Sequence, residues 1–144
     1  MSVPNEKRAG IEEMLTYIPF FEELDKDNIC RIVTEELEED GTMPVETLMY
    51  RSPLLGFIED TYVANVLLPN YVEILNLEAM GEIELEVLVY GLEQASYQLT
   101  MAVLTCIIVQ EKYAKGMWKI AAEEGWFLII LRRLEQLMAE KSFS

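Results

Sequence analysis

The sequence predicts an all-α fold. One domain over residues 1–144 forms a compact bundle of five to seven helices, with one short extended segment near residues 43–50. Three observations carry this. Apolar residues recur at helical spacing through most of the chain, most clearly from Ser96 to Leu137. Helix punctuation stands where it should: Ser96 and Ser52-Pro53 at starts, Gly41, Gly116 and Gly125 at ends. Thr42 to Arg51 is the stretch that looks extended, with Pro44 barring a helix before it.

Taken in order, Asn5 to Ile18 reads as a helix. Ile11, Met14, Leu15 and Ile18 share one face, with Glu12 and Glu13 opposite, and Pro19 stops it. Phe20 and Phe21 read as core anchors. Asp25 or Asp27 then caps a second helix, which turns Ile29, Ile32, Val33 and Leu37 inward. Its outer face ends in the run Glu35, Glu36, Glu38, Glu39 and Asp40, before Gly41. The spacing from Asp25 to Glu36 suggests a calcium loop, but Cys30 stands where that loop needs glycine, and most other ligand slots hold apolar or basic residues.

Thr42 to Arg51 is expected to be a short strand or an ordered loop. Ser52-Pro53 opens the next helix, with Leu54, Phe57, Ile58, Tyr62 and Val66 on one face and Glu59 and Asp60 outside. Pro69-Asn70 makes a turn, and Tyr71 to Leu77 a short helix. Gly81 to Tyr90 is two-sided. Glu82 to Val87 alternates with period 2, as strands do. Ile83, Val87, Leu88 and Leu92 also fit a helix, and the helical neighbours favour that choice.

Tyr97 to Tyr113 is the central helix, apolar nearly all round until Gln110, which marks a buried helix. Its run from Leu99 to Val109 is too short for a bilayer, which takes about 20 residues. Met117 to Glu124 follows as a short helix and Trp126 to Glu140 as a long one. The latter carries a stripe of Phe127, Ile130, Leu131, Leu134 and Met138, with Arg132, Arg133, Glu135 and Gln136 toward water.

Leu104, Thr105, Val109 to Tyr113, Gly116, Trp118, Ala121, Gly125, Phe127, Ile130, Leu131, Arg133 and Leu134 form the pattern LT…VQEKY…G-W…A…G-F…IL-RL. This resembles a family of small bacterial and phage proteins known only as a domain of unknown function. Ile18 to Phe21, Met43-Pro44 and Ser52 to Tyr62 extend the resemblance over most of the chain. It implies a compact helical domain and no known reaction. It also implies two arginines and a nearby histidine at the end of the central helix. Val109 and Lys112 stand in the arginine places here, and the chain has no histidine.

Composition narrows the function. At 144 residues, a chain can bury about two-thirds of its unfolded surface and needs no disulfide or metal staple. Cys30 and Cys106 are expected to be buried free thiols. The polar start MSVPNEKR, with no apolar core behind it, predicts a cytoplasmic protein. The absence of histidine excludes serine and cysteine triads, zinc-protease sites and histidine-assisted di-iron sites. There is no Gly-rich phosphate loop and no cationic cluster to hold polyphosphate. No cofactor and no metal are expected. A carboxylate-dependent enzyme is the weakest reading, because the carboxylates lie in exposed runs where a useful pKa is hard to reach.

Charge is the outlying property. The net is −15, against about 2 to 8 in magnitude for a typical small domain. Residues 1–110 carry 21 acids against 5 bases, whereas residues 111–144 carry 5 against 6. Such a field repels nucleic acid and anionic membrane and attracts basic partners. Duplex DNA presents about one charge per 1.7 Å of axis, which carboxylates along helices can imitate. The expected function is therefore non-enzymatic binding of a protein, with a phage- or mobile-element-type inhibitor as its sharper form. Its acidic face would mimic nucleic acid toward a nuclease, CRISPR effector or repressor. The candidate contacts are Glu35, Glu36, Glu38, Glu39, Asp40, Glu59, Asp60, Glu82, Glu84 and Glu86. The alternative is a structural or oligomeric scaffold, or an antitoxin-like module, in which acidity only provides solubility.

Overall fold

The computed structural model describes residues 3–24, 29–35, 45–79, 85–112 and 115–139. In chain order its elements are α1 (Arg8–Leu15), α2 (Ile18–Glu22), β1 (Cys30–Glu35), β2 (Val45–Tyr50), α3 (Ser52–Val63), α4 (Tyr71–Ala79), α5 (Leu85–Tyr90), α6 (Tyr97–Gln110), α7 (Met117–Glu123) and α8 (Trp126–Ala139). Single 3₁₀ turns precede α1 and α6. The fold is all-α, with one antiparallel strand pair among the described residues.

Helix α6 sits at the centre because its sequence leaves it no polar face. Thr100 to Thr105 without a break, then Ile107 and Ile108, are all buried. Ser96 caps it as expected, its Oγ accepting from the Leu99 N–H at 3.1 Å. The two buried threonines need partners and have them. Thr100 donates to the Ser96 carbonyl, and Thr105 donates to the Met101 carbonyl while accepting from the Leu68 N–H at 3.0 Å. That last bond pins the α3–α4 connection to α6 and leaves no buried hydroxyl unsatisfied there.

Helix α8 packs against α6 and also against α1, α2, α5 and α7. Its buried side holds Phe127, Ile130, Leu131, Leu134 and Leu137, with Met138 only half-buried. Arg133 faces inward more than periodicity predicts, donating from Nε to the Ala95 carbonyl at 2.8 Å. Phe57 of α3 packs between α2 and α8 in the core. Its ring meets Phe21 and Phe127 at 5.1 Å each, both edge-on, the preferred aromatic geometry. Each such buried side chain stabilises the fold by about 1.5–3 kcal/mol.

Four expectations are corrected. The helix expected around Ile29 to Leu37 is a strand over Cys30–Glu35, paired with β2 in the register Cys30↔Tyr50 to Glu35↔Val45. Ile32, Val33 and Thr34 are consecutive β-branched residues, which lose χ1 freedom in a helix and suit a pleated ladder. The helix expected from Asn5 to Ile18 ends at Leu15, and α2 then restarts with Pro19 in its first turn. Proline starts a helix there, because first-turn N–H groups need no partner within the helix. Tyr62 leaves the inner face of α3 for solvent and is half exposed, while Thr61 takes the buried place and donates to the Phe57 carbonyl. The cysteines are free, as expected, but half-buried rather than buried.

The extended segment appears as β2, and Leu85–Tyr90 is helical. Helix α7 ends short of Gly125, whose φ of 79° is the left-handed value that glycine tolerates. No helix among the described residues is long and apolar enough to cross a membrane.

Candidate functional surfaces: an acidic groove and an aromatic cleft

Helices α1 and α3 approach closely because Gly10 faces Ala64. A Cβ on Gly10 would lie 2.5 Å from the Ala64 Cβ. Glu6, Ala9, Glu13, Asp60 and Val63 line the groove of about 370 Å³ at this contact. Asp60 is held in place by Tyr17, whose hydroxyl donates to Oδ2 at 2.7 Å. Gly56 makes room for that phenol, since a Cβ there would sit 2.9 Å from the Tyr17 oxygen. Burial, with the nearby charges of Asp60, Glu13 and Glu59, pushes the Tyr17 phenol up to about 12. At neutral pH it is a hydrogen-bond donor and not a nucleophile. Within the groove lining, Val63 is 83% exposed.

The structure thus brings Glu59 and Asp60 together with Glu13, and adds Glu6 to the same surface. Glu86 is exposed on α5, whose main packing is on α8, and it does not line the groove. Glu35 closes β1 opposite Val45. Glu36, Glu38, Glu39, Asp40, Glu82 and Glu84 lie outside the described residues. Sequence reasoning missed Glu6 and Glu13. Their place beside α3 follows from the α1–α3 packing, in which Gly10 and Ala64, 54 residues apart in the chain, meet, and helical periodicity does not encode that.

The second feature is a cleft of about 480 Å³ where α3, the end of β2, α6 and α7 meet. Its hub is Glu111, just past the end of α6. The Glu111 carboxylate accepts from the Tyr50 hydroxyl at 2.8 Å, the Gly116 N–H at 3.1 Å and the Trp118 N–H at 3.0 Å. Two of these donors open α7, so Glu111 supplies the acceptor that helix starts require. Gly116 adopts φ 101°, which lets the chain turn back onto the carboxylate. Trp118 donates from Nε1 to the Ile108 carbonyl at 3.1 Å and stacks at a tilt on Tyr50, ring centroids 5.1 Å apart. Burial and the Glu111 carboxylate raise the Tyr50 phenol far above its ordinary value. Tyr62, Lys112 and Lys115 complete the rim.

Glu111, Lys112, Gly116 and Trp118 belong to the sequence pattern that carries the family resemblance, and three of the four have a structural role in shaping this cleft. A sequence cue existed: a carboxylate five residues before a glycine that opens a helix. Nothing local announced that Tyr50 would reach it, because β2 delivers that side chain from across the molecule.

Among the described residues, no group of three or more Cys, Asp and Glu is placed to hold a metal ion. The burial of Cys106 raises its thiol pKa, which disfavours the reactive thiolate.

No curated protein and no solved structure matches the chain. A family model does, over residues 6–140, and by that match the chain belongs to the family described as "Family of unknown function (DUF6508)".

Proposed function

We propose that this protein is a non-catalytic binding domain whose acidic α1–α3 face receives a basic protein partner. The observation that carries this is the groove that Glu6, Glu13 and Asp60 line together with small and apolar residues, among them the exposed Val63. Apolar surface mixed with charged groups is the composition of non-obligate protein interfaces. The net charge of −15 supplies long-range attraction for cations and repulsion for nucleic acid. The partner class that fits is a protein with a basic groove for nucleic acid, such as a nuclease, CRISPR effector or repressor, with the carboxylates standing in for phosphates.

The test uses Glu6→Lys, Glu13→Lys and Glu59→Lys together. All three side chains are exposed and can reverse charge without disturbing the core. The natural chain is expected to retain a partner that moderate salt releases and DNA or RNA competes off. The triple variant should lose that partner with an unchanged circular dichroism spectrum. Equal retention by the variant would refute the proposal.

A second reading, an oligomeric scaffold or antitoxin-like module, is favoured by one observation. Val63, Val72, Val87, Tyr90 and Ile120 are all about half exposed or more. Association that resists salt and ignores nucleic acid would select it.

A further inference from the structure

We propose that the cleft between β2, α3, α6 and α7 is a binding site for a small planar aromatic anion, a ring carrying one phosphate or carboxylate. The polar groups of the cleft decide the charge. Tyr50 commits its hydroxyl proton to Glu111, and Trp118 commits its indole proton to the Ile108 carbonyl. The two oxygens of Glu111 already hold three donors. What is left uncommitted among the described residues is the Tyr62 hydroxyl and the ammonium groups of Lys112 and Lys115, both exposed. Ammonium groups are donors only, so the matching ligand group is an acceptor-rich anion.

The walls decide the shape. Tyr50, Tyr62 and Trp118 line the cleft, and the rings of Tyr50 and Trp118 stand 5.1 Å apart. Aromatic faces favour a flat ring that can stack. A cleft of about 480 Å³ lies in the small-ligand range of about 300–1,000 Å³. The net charge of −15 selects against a long polyanion while leaving this local cationic rim able to hold a single anionic group. The site is distinct from the acidic groove and stands whether or not that groove binds a partner.

The test is a titration of the full chain with adenosine 5′-monophosphate and, separately, phenyl phosphate, followed by ¹H–¹⁵N spectra. The Trp118 indole signal is the reporter, and that of Trp126, buried in the core, is the internal control. At least one probe is expected to move Trp118 saturably without moving Trp126. Inorganic phosphate alone, and adenosine alone, should bind at least tenfold more weakly than the charged aromatic probe. The double variant Lys112→Glu, Lys115→Glu should lose at least tenfold in affinity while the rest of its spectrum stays in place. Three results would overturn the proposal: no saturable movement of Trp118 with either probe, equal binding by the double variant, or tighter binding of a single-stranded oligoadenylate than of the monophosphate.

Discussion

Tyr17 and Tyr50 each donate a phenol hydrogen bond to a carboxylate, Asp60 and Glu111 respectively. Tyr97 is held protonated mainly by burial, with Glu6 adding repulsion, and its pKa rises to about 12. All three therefore prefer the neutral form in the folded state. Their folded values lie above the ordinary 10.0, so the unfolded chain ionises first as pH rises. The stabilisation from these groups is fully present below that value and is lost as pH climbs through the folded ones. The urea midpoint should fall between about pH 10 and about pH 12, and Tyr17→Phe with Tyr50→Phe should shrink that fall. An unchanged alkaline loss in the double variant would show that the phenols do not carry it. Trp126 marks the opposite case: its indole N–H is buried with no acceptor among the described residues, in a helix that is otherwise well satisfied.

At the scale of elements, two devices hold helices that the chain separates widely. One is the Glu111 carboxylate, which joins the end of α6, the start of α7 and the end of β2. The other is the Gly10–Ala64 contact between α1 and the C-terminal end of α3. The neighbour there is backbone as well as side chain. The Ala64 Cα would lie 2.9 Å from a Cβ on Gly10, so it cannot swing aside. Gly10→Ala is expected to destabilise by about 1–3 kcal/mol through overpacking, read as a lower denaturation midpoint. Ala64→Gly in the same chain should restore part of the loss. A full-strength Gly10→Ala protein would mean the two helices sit farther apart. Helix boundaries were legible where punctuation is chemical: Ser96, Ser52-Pro53, Gly116 and Gly125 all stand at element ends. They failed around Cys30–Glu35, where the hydrophobic spacing fits either period and only pairing with β2 decides.

For the whole molecule the governing quantity is the charge of −15, which makes the folded state repel itself. The ion pairs are few to offset it. Among the described residues they are Lys119–Glu123 along α7 and Arg132–Glu22 between α8 and α2. Both are exposed enough to count for little. Raising sodium chloride from about 0.01 M to about 1 M shrinks the screening length from about 30 Å to about 3 Å. The melting temperature should rise over that range, as scanning calorimetry can measure. A flat or falling value would mean that the acids are too dispersed to strain the fold, and the acidic groove would lose its claim to a concentrated field.

What the sequence by itself determined is the class of structure: a chain half apolar, with a helix greasy on every side, has to bury that helix at the centre of an all-α fold. It also determined the sign of the field, because charge is additive and needs no coordinates. Only the tertiary structure decided which carboxylates share a surface and which rings share a cleft. Glu13 lines one groove with Asp60, and Tyr50 meets Glu111 and Trp118, because distant parts of the chain pack together. Local periodicity says which side of a helix is wet or dry. It does not say which dry sides meet, and the candidate sites lie where they do.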